Sequence, residues 1–363
     1  RRTLVLLGCL CPLISGLGLV KHIMNDTMAV CNDGTNAGYY YRPSPLPGAL
    51  QPARWVIFLQ GGGYCFDQAS CDARQKQVNL MSSRAWPEQL IMFGVLSADP
   101  LTNPDFWDAN AVFVPYCTSD LWSGLGNASA SNYTFHGQHV VDAVFDSLIA
   151  NHHLKSSKLI LFTGSSAGAF GVFANVDRVA DRLEEAGVKA AVRALPDSGW
   201  FLDNVPYAKR PEPCKGIFDC PIGDTLRTGI TLWNGQPASS CVQTTSQPWT
   251  CYLGANVYPT LKTPTLVFQY RTDACQMAFD DVKNYTDPKQ RTYAEDVGSA
   301  VETQLRAAKH IFSPACLRHT IVTLPFFDTI RVGNWTLKQA LHEFLIGGTV
   351  NKTVRDFDVT CVL

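Results

Sequence analysis

Apolar positions along this chain alternate between two rhythms. Trp55–Leu59, Ala111–Val114, Leu159–Phe162, Ala191–Leu195 and Thr265–Tyr270 are short, apolar and bounded by Gly, Pro or polar residues. Runs of that kind suit strands buried on both faces, as in a parallel sheet. Between them, Gly137–Ile149, Gly171–Glu185 and Thr292–Ala308 repeat apolar residues at three- and four-residue spacing, as helices packed on a sheet do. The alternation predicts an α/β layered fold, mainly parallel strands with helices on both faces. Pro206–Pro259 breaks the rhythm with Cys, Pro and Gly and reads as a disulfide-stapled insertion or cap. Pro43–Pro52 reads as a surface loop before the first strong strand.

The N-terminus has a different pattern. Arg1-Arg2 precede an apolar run from Thr3 to Val20, with small residues at Ser15, Gly16 and Gly18. A basic start, a short apolar core and small residues near a cut point describe a secretory signal peptide, here residues 1–20. Pro12 and the glycines argue against a membrane span. The remainder, 21–363, reads as one domain carrying the insertion at about 206–259, because no linker separates two units.

Composition narrows the class. The chain has 363 residues, 46% hydrophobic and 17% charged, so it can bury a large core and is not a disordered chain. Lys plus Arg is 30 and Asp plus Glu 31, a net charge of −1, with no basic stripe for nucleic acid. Of 13 cysteines, Cys9 and Cys11 fall in the leader and eleven remain. The close pairs Cys65/Cys71, Cys214/Cys220 and Cys241/Cys251 suit small loop-closing disulfides of an oxidising compartment. CxxC knuckles and HxxxH spacing are missing, so no zinc site or other metal is expected. Six glycosylation sequons, at Asn25, Asn127, Asn132, Asn284, Asn334 and Asn351, add to the case for a secreted glycoprotein.

Chemistry concentrates at Gly164-Ser165-Ser166-Ala167-Gly168, directly after the strand Leu159–Phe162 and before the helix Gly171–Glu185. GxSxG alone can be a glycine- and serine-rich loop. Between a strand and a helix it is a nucleophile elbow, with Ser166 lifted above the sheet edge. A serine nucleophile needs a base and an orienting acid, in the chain order Ser, acid, His for this architecture. Asp273 follows the strand Thr265–Tyr270, at the edge where open α/β sheets carry their sites. His310, His319 and His342 lie downstream; His319, near Cys316 and just before an apolar run, is the best-placed base, while His342 suits a surface helix. Gln60-Gly61-Gly62-Gly63-Tyr64 follows the strand Trp55–Leu59 and resembles the glycine loop that supplies backbone donors to an oxyanion hole. The Ala167 N–H, next to the nucleophile, is a further donor. A dinucleotide-binding GxGxxG is missing, and no cofactor is implied.

GGGYCF with CDAR, LMSSRAWP, NPDFWDANAVFVPYC, GSSAG, NVDRVAD, DSGWFLDN, WNG, YPTLKTP and PACLRH together resemble the Notum family, over nearly all of residues 28–325. That family belongs with the pectin acetylesterases and has an α/β-hydrolase fold. The resemblance implies a secreted carboxylesterase that removes palmitoleate from a serine of Wnt proteins and so down-regulates Wnt signalling. It implies Ser166 as nucleophile, Asp273 as acid, His319 as base and an oxyanion hole of Gly62, Gly63 and Ala167. Phe201, Ile222, Leu226, Tyr252, Leu253 and Phe279 match its acyl pocket. Disulfides Cys31–Cys117 and Cys316–Cys361 are implied as well, leaving Cys275 reduced. Family members also bind heparan sulfate on glypicans, for which a net charge of −1 without basic runs offers little support.

Two departures stand out: Gly63 replaces a family Trp and Phe279 a smaller aliphatic residue. The first removes one wall of the acyl pocket and makes the glycine loop resemble that of plant pectin acetylesterases. Two further readings therefore accompany the Wnt esterase: a glycan O-acetylesterase, and a binding protein that sequesters acylated ligands without turnover.

Overall fold

The computed structural model describes residues 18–46, 53–77, 80–127, 131–208, 214–327 and 329–353. One sheet of ten strands organises them. In chain order these are β1 Leu19–Ile23, β2 Gly38–Arg42, β3 Arg54–Leu59, β4 Gln89–Leu90, β5 Asn110–Val114, β6 Leu159–Ser165, β7 Ala191–Asp197, β8 Leu266–Phe268, β9 His310–Ser313 and β10 Asn351–Thr353. Across the sheet the order is β10-β9-β8-β7-β6-β3-β5-β2-β1-β4. From β10 to β5 every pairing is parallel; β2, β1 and β4 add an antiparallel edge.

The continuous apolar runs are explained by the two-residue period of a strand covered on both sides. Trp55, Ile57 and Leu59 enter one core with Ile160 and Phe162, while Val56 and Phe58 enter the opposite core with Leu161 and Leu195. After α1 (Gln68–Gln77), α2 (Gly137–Asn151) and α3 (Ala167–Glu185) close the first core, and Leu337, Leu341 and Phe344 of Leu337–Leu345 close the second. Pro288–Leu305 packs Ala294, Val297, Val301 and Leu305 beside Val267 and Ile311.

Two differences from the sequence reading have physical causes. Helix α3 starts at Ala167, four residues before the expected Gly171. Its glycines serve close packing rather than chain reversal, since a Cβ on Gly171 would lie 2.6 Å from the Trp122 ring. The antiparallel edge was not expected, because β2 is a buried run of three tyrosines, Tyr39, Tyr40 and Tyr41, without the polar alternation of an edge strand. The expected leader of residues 1–20 falls mostly outside the described residues; at its end, Leu19 and Val20 pair with Leu90 and Gln89, and Leu19 is fully buried.

Cys31–Cys117, Cys65–Cys71, Cys214–Cys220 and Cys241–Cys251 are disulfides, and Cys275 is a free thiol. Cys316 is also disulfide-bonded, while Cys361 lies outside the described residues. Asn25, Asn132, Asn284, Asn334 and Asn351 are exposed; the side chain of Asn127 is outside the described set. Among the described residues no helix is long and apolar enough to cross a membrane.

Candidate active site

Ser166 stands between β6 and α3 with φ 56° and ψ −121°, a conformation that L-residues avoid. The surroundings impose it. The Ser166 N–H donates to the Asp197 carbonyl at 2.8 Å, and β3 presses against the turn so closely that a Cβ on Gly168 would fall 2.0 Å from the Leu59 oxygen. A side chain at that glycine would force the elbow off the sheet.

Asp273 and His319, 46 residues apart, are brought together by pairing between Thr272–Asp273 and Leu317–Arg318, parallel and in register. His319 follows the last paired residue. Its Nδ1 lies 2.9 Å from both carboxylate oxygens of Asp273. The carboxylate is buried and further fixed by the backbone N–H groups of Cys275 (2.8 Å) and Gln276 (3.2 Å), at the start of the short helix Ala274–Phe279, and by Gln269 Nε2 (3.3 Å). Burial alone would favour the neutral ring, but the adjacent Asp273 charge and hydrogen bond, with the more distant Asp197, outweigh it and raise the His319 pKa. With Nδ1 committed to Asp273, Nε2 is the nitrogen left to take a proton. The other two histidines are elsewhere: His310 is buried in β9, and His342 is exposed and bonded to Asp105 at 2.8 Å.

One buried residue to which sequence reasoning gave no role connects the two halves of the site. Asp197, at the end of β7, accepts from Ser165 Oγ (2.6 Å) on the elbow side and from the Ile321 and Val322 N–H groups (2.9 and 3.1 Å) on the His319 side. Ser198 Oγ donates to it at 2.9 Å and accepts from Thr320 N–H at 3.0 Å. The motif Asp197-Ser198-Gly199-Trp200 was visible in the sequence, but nothing local signalled these long-range bonds.

Ser166 and His319 line one cavity of about 970 Å³, together with Gly62, Gly63 and Ala167. Among the described residues the N–H groups of those three donate to no protein acceptor, which leaves them free for an oxyanion. Phe170, Phe201, Ile222 and Phe279 supply apolar wall; Phe201 stacks on Phe170 at 5.5 Å and meets Phe279 edge-on at 5.6 Å. Of the other expected pocket residues, Leu226, Tyr252 and Leu253 are buried in the adjoining core and are not among the residues that line this cavity. The Tyr252 hydroxyl is held by Ser123 Oγ at 2.6 Å and its ring meets Trp233.

The loop closed by Cys214–Cys220 contributes wall that sequence reasoning missed. Gly63 has φ 69°, and a Cβ there would lie 2.7 Å from Ile217 Cδ1. Ile217 thus fills space that opens at Gly63, and Phe218 packs on Phe279 at 5.1 Å. Asp273, Cys275 and His319 place possible metal-ligand atoms within 4.8 Å of one another. Both Asp273 oxygens face His319 Nδ1 and also accept from the Cys275 and Gln276 N–H groups and from Gln269 Nε2, so Asp273 and His319 are arranged as a hydrogen-bonded pair.

The parallel sheet, the strained serine after its central strand and the histidine–aspartate pair beyond later strands define an α/β-hydrolase. Residues 15–362 match the family profile described as Pectinacetylesterase. The palmitoleoyl-protein carboxylesterase NOTUM of Homo sapiens is 40% identical over 329 residues, covering 88% of this chain and 65% of that protein. The protein of the same name from Drosophila melanogaster is 35% identical over 327 residues, 87% of this chain and 47% of its own length. The solved structure of the Wnt deacylase Notum from Drosophila superposes with a TM-score of 0.86 at 33% identity, covering 95% of this chain and 98% of that one. The chain belongs to the pectinacetylesterase family, in its Notum group. It spans less than two thirds of the length of these curated relatives.

Proposed function

We propose that the protein is a secreted serine carboxylesterase that removes a long acyl chain, palmitoleate, from a serine of a Wnt-type protein. The observation that carries the chemistry is the strained Ser166 sharing a cavity with His319, whose Nδ1 is bound to buried Asp273. Ser166 Oγ attacks the ester carbonyl and gives its proton to His319 Nε2. Asp273 holds the ring in the tautomer that leaves Nε2 free and stabilises the imidazolium. The carbonyl oxygen becomes an oxyanion within reach of Gly62, Gly63 and Ala167, where the preset donors need no reorganisation. His319 then protonates the departing alcohol, leaving an acyl-serine. Water, deprotonated by the same histidine, releases the acid and restores Ser166.

The substrate follows from the wall and the relatives. Cavities of roughly 300–1,000 Å³ lined by apolar groups suit small or acyl ligands, and each buried methylene contributes about 0.8 kcal/mol. Relatives described as a palmitoleoyl-protein carboxylesterase and a Wnt deacylase support the same acyl group. Four complete disulfides and five exposed sequon asparagines support passage through an oxidising, exporting compartment. A fluorophosphonate probe tests the nucleophile. Labelling should map to Ser166 and vanish in Ser166→Ala; labelling elsewhere, or none, rejects the reading.

A further inference from the structure

The cavity that holds Ser166 also contains a cation without a counter-charge. Arg74 lies on the helix Gln68–Gln77, which is tied down at its start by Cys65–Cys71. Its Nε donates to Ser119 Oγ at 2.8 Å, and its guanidinium carbon sits 5.9 Å from the Tyr116 ring centre. One terminal nitrogen, Nη2, is buried with no hydrogen-bond partner. The other, Nη1, approaches Gly63: a Cβ there would be 3.6 Å from it. Among the described residues no carboxylate pairs with Arg74; Asp219 and Lys215, opposite in sign, are exposed on the Cys214–Cys220 loop lining the same cavity. Burial accordingly lowers the pKa of Arg74 from its ordinary value, with Tyr116 opposing.

A partly buried guanidinium with no counter-charge is costly to keep, and such groups gather at functional sites. Its Nη1, the nitrogen that faces Gly63, is a charged donor from which a carboxylate oxygen can accept. Arg74 lines the same cavity as Gly62, Gly63 and Ser166, so a ligand bound there comes within its reach. We propose that Arg74 forms a carboxylate-binding subsite beside Gly63, so that the site also accepts short esters that carry a carboxylate within its reach. This rests on the esterase reading for turnover, though not for binding.

The test compares mono-4-nitrophenyl glutarate with 4-nitrophenyl pentanoate, esters that differ at the chain end in carboxylate against methyl. In wild type at low salt, kcat/KM should favour the glutarate at least tenfold, and the preference should shrink as salt rises. Arg74→Gln should bring the ratio to one or below, and Arg74→Lys should keep part of it. Free glutarate, measured by calorimetry, should bind wild type and Ser166→Ala but not Arg74→Gln. Should Arg74→Gln not fold, the Arg74→Lys ratio and glutarate binding to wild type decide alone. A wild type that prefers pentanoate, or that binds no glutarate, overturns the subsite. If neither ester is cleaved while glutarate binds, the esterase reading fails and the subsite stands.

Discussion

Asp197 Oδ2 and Ser165 Oγ lie 2.6 Å apart beneath the nucleophile, and the same oxygen also accepts from the backbone N–H groups that follow His319. One buried carboxylate therefore fixes the position of the serine relative to its base. Removing an acceptor from several buried donors costs about 1–3 kcal/mol for each left unsatisfied. Asp197→Ala should lose at least about 3 kcal/mol in urea unfolding and lower kcat by more than tenfold. Asp197→Asn, which keeps one acceptor oxygen, should fall between the two. Wild-type stability in Asp197→Ala would refute the clamp.

The raised pKa of His319 sets the pH dependence. Attack needs the neutral ring, so kcat/KM should rise with pH through a midpoint above 6.5, the ordinary histidine value. The linkage runs the other way for stability: the charged pair with Asp273 contributes fully below 6.5 and is lost as pH rises through the raised value. Asp273→Asn removes the larger stabilising influences and leaves burial, so the midpoint should move down while kcat falls by about 10⁴. Rate profiles of the two proteins check both effects.

Ile217 supplies the wall above Gly63, so it should help set chain-length preference. Ile217→Ala removes three carbons, worth about 2 kcal/mol against a long acyl chain. The octanoyl-to-acetyl ratio of kcat/KM should then fall roughly 30-fold. Gly63→Trp is the harder substitution, because it meets both the positive φ and Ile217. An unchanged ratio in Ile217→Ala would place the chain elsewhere.

Burial, with the nearby Asp273 charge, pushes the Cys275 thiol well above its ordinary 9.0, although Cys275 lines the cavity. The thiolate is the reactive form. Iodoacetamide at pH 7.5 should leave Cys275 intact in the folded protein and alkylate it after denaturation, as peptide mapping would reveal. Rapid alkylation of the native protein would contradict this.

What could be read from the sequence depended on how local the cause was. Ser166 was legible because strand, elbow and helix are contiguous. Asp273 and His319 followed from chain order and the strand preceding the acid, although the two-residue pairing that joins them has no signature of its own. Asp197 acts through bonds to residues 32, 124 and 125 positions away, so its sequence neighbours say nothing of the role. Leu226, Tyr252 and Leu253 were apolar and near the right motifs, but composition does not tell a cavity wall from the layer behind it. Likewise β1 reads as part of an apolar leader until its partners β2 and β4 are known.

The central claim is that Ser166 cleaves a long-chain ester in this cavity. Incubating the purified protein with a serine-palmitoleoylated Wnt peptide and measuring free palmitoleate by mass spectrometry tests it most directly. The account predicts that wild type releases palmitoleate, with kcat/KM on 4-nitrophenyl esters rising from acetyl to octanoyl, and that Ser166→Ala releases none. An untouched peptide, with acetate the best ester, would contradict it and favour the glycan acetylesterase.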